Sequence, residues 1–219
     1  MEVSPEAEAM GLALAYSVVS DVRVDRESGR KALELAAEQV RKLYTLESLK
    51  ENPVIRAYRD FYWRIGIDPT KVRPSSESLV RRILREGSIP SINSVVDSGN
   101  AASAITLVAI GLYDMRRISG KPVLRLAKPG EVFEPIGGGK RVLSGGEPVL
   151  ADENGPIFLY PHRDCVRTMI REETEEVLIV AAGVPGVEKA LLRRAASLTV
   201  ELITETSGGT ISEVRSLPD

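Results

Sequence analysis

The feature that most constrains this chain is a change in the spacing of its apolar residues. In the first half they recur at three- and four-residue steps. Leu33, Ala36, Ala37, Val40 and Leu43 form one stripe, and Val54, Tyr58, Phe61, Tyr62 and Ile65 form another. Such steps place side chains along one face of a helix. After Gly111 the pattern breaks into short runs: Val123 to Leu126, Glu131 to Pro135, Pro148 to Ala151 and Ile157 to Tyr160. Between them stand Pro129-Gly130, Gly137-Gly138-Gly139, Gly145-Gly146 and Asp152-Glu153-Asn154-Gly155, the chemistry of tight turns. Leu178 to Ala182 reads as a further buried strand, Leu12 to Val24 as an early one, and Val187 to Ile203 as a last amphipathic helix. Helices gathered in one half and strands in the other predict an α+β fold: one compact domain, a mixed or antiparallel sheet packed with helices.

Two more helices complete the expectation. One opens at Pro74-Ser75-Ser76-Glu77, with a serine as N-cap and Leu79, Val80 and Ile83 inward; the other runs from Asn93 to Val108. Tyr58, Phe61, Tyr62 and Trp63 read as core. The domain is expected over 1–206 and a loose tail over 207–219, of which Thr210 to Val214 could dock on the body.

Composition removes several classes. The 29 basic and 31 acidic residues leave a net charge of -2, unlike proteins that coat nucleic acid by charge alone. A single cysteine, Cys165, excludes an intrachain disulfide and a cysteine-built zinc site, and a single histidine, His162, excludes a two-histidine metal motif. The apolar run from Ala101 to Tyr113 is too short to cross a bilayer, and Met1 to Asp25 lacks the pattern of a signal peptide. A soluble, cytoplasmic protein with no membrane partner is expected.

The stretch Ile92-Asn93-Ser94-Val95-Val96-Asp97-Ser98-Gly99-Asn100, followed by Gly111-Leu112-Tyr113-Asp114, resembles the B3 signature of phenylalanyl-tRNA synthetase beta chains. Leu124-Arg125-Leu126-Ala127, Gly130-Glu131, Ala151-Asp152-Glu153-Asn154-Gly155, Glu172-Glu173-Thr174 and Val177-Leu178-Ile179 resemble the B4 half in the same order. Ile67-Asp68-Pro69-Thr70-Lys71 and Arg73-Pro74-Ser75-Ser76-Glu77 resemble the free-standing relatives. The likeness covers about residues 55 to 185. It implies a B3/B4-like domain with a cleft, which in the synthetase receives the 3′ end of a mischarged tRNA and hydrolyses the ester. By that resemblance the chain is expected to be a trans-editing aminoacyl-tRNA deacylase. The alternative is a non-catalytic module that binds an amino acid, a related metabolite or a tRNA 3′ end. A protein–protein adaptor is a third reading. Three departures bear on the choice. Gly111 stands where the family's editing histidine falls, Gly99-Asn100 replaces a Thr-Asn pair, and His162 to Thr168 replaces the glycine-rich stretch that reads a misattached tyrosine. A tyrosine-specific site is therefore not expected.

The densest polar cluster is His162-Arg163-Asp164-Cys165-Val166-Arg167-Thr168. Arg163 or Arg167 offers paired donors to a carboxylate or phosphate, Asp164 a partner for an amino group, and His162 a proton-transfer group. The plainer account is an exposed loop with an internal Arg–Asp pair. Cys165 reads as an inert thiol. Asn93, Asp97 and Asn100 share one helix face. They either line a cleft or cap the helix and lock it to the sheet; capping is favoured for Asn93, and family position favours the cleft for Asn100. Ser75, Ser76 and Glu77 could present polar groups to a ligand at a helix start, though an N-cap alone explains one serine. Gly111 joins the candidates only through the resemblance. Gly137-Gly138-Gly139 reads as a hairpin tip, since the following Lys140-Arg141 does not make a phosphate-binding loop; no metal or cofactor is expected. Arg81-Arg82, Arg116-Arg117 and Arg193-Arg194 could together face a tRNA acceptor stem, but singly each reads as a solvated face.

Overall fold

The computed structural model describes residues 1–218. In chain order its strands are β1 (Glu2–Val3), β2 (Ala13–Ser20), β3 (Ala109–Asp114), β4 (Val123–Leu126), β5 (Val132–Phe133), β6 (Arg141–Val142), β7 (Pro148–Asp152), β8 (Gly155–Leu159), β9 (Arg163–Asp164), β10 (Glu176–Gly183), β11 (Thr210–Ile211) and β12 (Arg215–Leu217). The helices are α1 (Pro5–Ala9), α2 (Arg30–Leu43), α3 (Leu46–Glu51), α4 (Pro53–Arg64), α5 (Ser75–Glu86), α6 (Ser94–Thr106) and α7 (Lys189–Ser207).

Strand β10 explains the layering. Every residue from Val177 to Ala182 is apolar and buried. Successive side chains of a strand point to opposite faces, so such a run must be covered on both sides. It lies at the centre of a sheet, antiparallel to β2 on one edge and to β3 on the other. On one face Leu178, Val180 and Ala182 meet Tyr58, Phe61, Tyr113, Phe158 and Tyr160, joining this sheet to α4 and to a second sheet ordered β1-β4-β7-β8-β9. On the other face Val177 and Ile179 meet Val95 of α6 and Val200 and Ile203 of α7. Each large apolar side chain taken from water this way contributes about 1.5–3 kcal/mol before cavity and strain terms. Two of the buried tyrosines, Tyr58 and Tyr160, satisfy their hydroxyls with backbone partners. Tyr58 donates to Ala182 O at 2.5 Å and accepts from Ala109 N at 3.1 Å, while Tyr160 donates to Ala13 O at 2.6 Å.

Helix α6 is buried nearly all round, which its small residues permit. Gly99 is the tightest point: a Cβ there would stand 2.5 Å from Leu112 Cδ1, so glycine lets α6 lie directly on β3. Asn93 is the N-cap, accepting from Val96 N at 2.9 Å. Asp97 is fully buried and accepts from Ser91 Oγ at 2.6 Å and Ile92 N at 2.8 Å, pinning the entering loop to the helix.

Several expectations are corrected. Leu43, placed on the inner stripe of α2, is 64% exposed, and Trp63, read as core, is 56% exposed; Leu43 is the last residue of α2, and Trp63 lies on the outer face of α4 with Arg56 and Arg59. Pro74, not a serine, is the N-cap of α5, and no side chain caps that helix. The helix expected to end at Val108 stops at Thr106, because Leu107 adopts a left-handed backbone (φ 62°), and residues 109–114, to which the sequence assigned no element, form β3. The tail does not hang loose: β11 and β12 both pair antiparallel with β2, whose outer edge would otherwise be unpaired. Asp219 lies outside the described residues.

Candidate functional site

Helix α6 and strand β3 form one wall of a pocket of about 210 Å³, and the chain around β9 closes it from the opposite side. Ile92, Val96, Ile110, Leu112, Ile136, Met169 and Ile170 make it apolar, and Asn100 and Asp164 are the polar side chains that line it. Among the described residues the Asn100 amide makes no side-chain hydrogen bond, so its donors and acceptor are free to serve a ligand. The volume lies below the about 300–1,000 Å³ of pockets that hold drug-sized molecules. It suits a group the size of one amino acid.

Asp164 is held from behind. The Tyr113 hydroxyl donates to its Oδ1 at 2.6 Å. Burial pushes the Asp164 carboxyl up to about 6, opposed by the Tyr113 hydrogen bond. Burial, reinforced by the Asp164 charge, pushes the Tyr113 phenol well above its ordinary value. It therefore stays a hydrogen-bond donor across the whole working range of pH. Gly111 makes this contact possible. A Cβ at Gly111 would stand 2.1 Å from the Tyr113 hydroxyl oxygen, so that hydroxyl occupies the space a side chain at 111 would need.

The other candidates scatter, because the 162–168 cluster is dense in sequence but not in space. His162 and Arg163 line a different pocket, of about 250 Å³, with Ile67, Val72, Phe133 and Leu159. His162 packs edge-on against Tyr62, with ring centroids 5.8 Å apart, and its Nδ1 is buried with no hydrogen-bond partner among the described residues. Burial, and then the charges of Arg141 and Arg163, lower its imidazole to about 4, so it is neutral at pH 7. Arg167 is committed elsewhere: it clamps Asp152 through two hydrogen bonds of 2.8 and 2.7 Å. The expected internal Arg–Asp pair does not form, since Asp164 bonds Tyr113 instead. Thr168 is buried, and its Oγ1 is unpaired among the described residues. Cys165 is buried too.

Asn93 and Asp97 are occupied by the capping and loop contacts given above, which leaves Asn100 as the member of that helix face at the pocket. Ser75, Ser76 and Glu77 lie at the start of α5, away from it. Ser76 is buried with its Oγ unpaired among the described residues. Glu77 is fully buried and accepts from Arg59 Nη1 at 3.0 Å and Arg81 Nε at 2.7 Å. Two of the three basic pairs are already engaged by carboxylates. Arg81 turns inward to Glu77, whereas Arg82 pairs with Glu86 at the surface. Arg116 pairs with Glu175, and Arg117 lies 3.4 Å from Asp114 and 3.1 Å from Glu173.

Two features were not singled out from the sequence. Tyr113 was quoted only as part of a motif, and nothing local marks a tyrosine two residues beyond a glycine as the support of a carboxylate. A basic groove between α4 and α5 was also missed, although Arg56, Arg59 and Trp63 stand at helical spacing on one face of α4, as Arg81 and Arg85 do on α5.

The B3/4 domain family model matches residues 57–208. Among curated proteins, the phenylalanine–tRNA ligase beta subunit of Nocardia farcinica is 34% identical over 117 residues, covering 53% of this chain and 14% of its own length. That of Thermobifida fusca is 28% identical over 171 residues, covering 68% of this chain and 20% of its own length. This chain therefore spans a fifth or less of these relatives. A solved structure, an N-terminal fragment of the phenylalanyl-tRNA synthetase beta subunit from Pyrococcus horikoshii, superposes over 100% of this chain and 54% of its own, with a TM-score of 0.57 at 14% identity. That likeness shows the fold. No helix of the described residues is long and apolar enough to cross a membrane.

Proposed function

The chain belongs to the B3/4 domain family, and from that premise we propose that it is a trans-acting aminoacyl-tRNA deacylase whose aminoacyl group enters the Asn100–Asp164 pocket. The observation that carries the reading is convergence. Asn100 and Asp164 come from the two separate segments that the resemblance assigns to the family's cleft, and they line one amino-acid-sized pocket. Asp164 Oδ1 is engaged by Tyr113, and its other oxygen takes no hydrogen bond from a described residue. In this reading that oxygen receives the α-ammonium group, and the apolar walls receive the side chain. Asn100 holds the ester carbonyl or the ribose hydroxyl beside it. Water then adds to the carbonyl carbon, the bond to the ribose oxygen breaks, and the proton released by the water passes to that oxygen. No histidine reaches the pocket, so the water is oriented by the ribose hydroxyl and by backbone groups.

A panel of radiolabelled aminoacyl-tRNAs tests this directly. Release of one amino acid faster than the uncatalysed rate, lost in Asn100→Ala and in Asp164→Asn, is the expected result. A folded protein that accelerates none of them overturns the deacylase reading. The position of His162 favours a second reading, a non-catalytic binding module, because the chain's one imidazole faces another pocket. Saturable binding of an aminoacyl-adenosine without turnover is the outcome that selects it.

A further inference from the structure

A groove of about 600 Å³ between α4 and α5, reached also by Lys50 of α3, is lined by Lys50, Arg56, Arg59, Arg73, Arg81 and Arg85. Asp60 is the one acidic side chain on its lining. In a chain of net charge -2 this is a strong local segregation of charge. Its floor is built: buried Glu77 holds both Arg59 and Arg81, and a guanidinium so held keeps its remaining N–H donors aimed in a fixed direction. Arg56 pairs with Glu51 at the rim. Among the described residues, Lys50, Arg73 and Arg85 make no ion pair and no side-chain hydrogen bond. Trp63, the only tryptophan of the chain, lines the same groove and is 56% exposed.

We propose that this groove binds a single-stranded segment of RNA, with phosphates on the free cations and a base stacked on Trp63. Unpaired cations beside a flat exposed aromatic ring are the two components of sequence-tolerant single-strand binding: charge follows the backbone, and every base offers a face to stack. An acidic peptide would satisfy the cations but would leave the indole without a planar partner. The groove is separate from the Asn100–Asp164 pocket and does not depend on catalysis there. Only the choice of RNA over DNA rests on the function proposed above.

Because Trp63 is the sole tryptophan, its fluorescence reports the groove directly. The whole chain would be titrated with a 12-nucleotide single-stranded RNA, the DNA strand of the same sequence, inorganic polyphosphate and poly-glutamate, with anisotropy of labelled RNA as an independent readout. The RNA is expected to quench Trp63. Its affinity should fall with salt on a log–log slope of about -2, as three phosphate contacts on a single strand require. Trp63→Ala should weaken RNA binding about ten-fold, and Arg73→Glu with Arg85→Glu should abolish it. Both sets of changes lie at exposed or groove-lining positions, and circular dichroism verifies that each variant is folded. No binding of RNA overturns the proposal, and so does binding that neither quenches Trp63 nor responds to the arginine changes. Polyphosphate or poly-glutamate binding as tightly as RNA, with no contribution from Trp63, reduces the groove to a site for any polyanion and also overturns it. Quenching by DNA alone overturns the choice of RNA. No deacylation by the folded parent, with RNA binding present, would strike the pocket reading and leave this one standing.

Discussion

The pocket and the groove are built on opposite electrostatic plans. In the pocket two polar side chains stand among apolar ones, and the single carboxyl, Asp164, is left with one hydrogen-bond donor behind it and pushed up to about 6. In the groove charges are plentiful, and the two guanidinium groups at the floor share the single carboxylate of Glu77. A sparse, dry site discriminates one small group, because any polar atom of the ligand that fails to meet Asn100 or Asp164 is left unpaired. A crowded, wet one holds an extended anion without selecting it. The difference teaches that stability is spent at the pocket and stored beneath the groove, and substitution can test that division.

The largest effect is expected beneath the groove. Glu77→Ala leaves the Arg81 guanidinium buried without its counter-charge and should cost about 3 kcal/mol in chemical denaturation. A loss comparable to that at a surface ion pair would break the contrast. Next comes the support of the pocket. Gly111→Ala drives a methyl group into the Tyr113 hydroxyl and should destabilise the fold by about 1–3 kcal/mol, displacing the phenol from Asp164.

Asp164→Asn should have the opposite sign. The folded chain holds a proton on Asp164 up to about pH 6, whereas an unfolded aspartate releases it near 3.8. The contribution of this group to stability is therefore full below pH 3.8 and is lost as pH rises through 6. His162, lowered from 6.5 to about 4, runs the other way: its contribution is full above 6.5 and is lost as pH falls through 4. The two slopes oppose one another in the wild type. In Asp164→Asn the histidine slope should be unopposed by this carboxyl, so thermal stability from pH 4 to 6.5 should climb more steeply than in the parent. At pH 8 the variant should be at least as stable as the parent, even though it no longer binds an aminoacyl group. A variant less stable at pH 8 would make Asp164 a structural residue instead of one held at a cost to folding. The smallest effect belongs to the rim. Arg73→Ala and Arg85→Ala remove unpaired surface cations and should change stability by no more than about 0.5 kcal/mol.

The fold was legible where one local period sufficed. The stripes of α2 and α4 and the continuous apolar run of β10 require a helix or a two-sided strand whatever lies around them. Strand β3 was not, because Ile110 to Tyr113 follows an apolar helix without a proline or glycine break, and what ends α6 is the left-handed turn at Leu107. The exposure of Trp63 was missed although helical spacing carries it: Phe61 and Tyr62 are buried, and Trp63 stands with Arg56 and Arg59 on the outer face of α4. At the candidate site, motif position pointed to Asn100 and the 162–168 stretch, and Asp164 lies opposite Asn100. The sequence could not separate Asp164 from His162 and Arg167, because which side of a short strand each residue takes depends on the register of β9 against β8. The cap at Asn93 was legible, but the commitment of Asp97 to the loop entering the helix was not.

The measurement that tests the account most directly is calorimetric titration with a non-hydrolysable 3′-amide-linked aminoacyl-adenosine. The parent, Asn100→Ala, Asp164→Asn and Trp63→Ala would be compared side by side. The account predicts binding in the parent, loss of at least ten-fold in affinity in the two pocket variants, and unchanged affinity in Trp63→Ala. Equal binding by all four proteins, or weakening in Trp63→Ala alone, would contradict it.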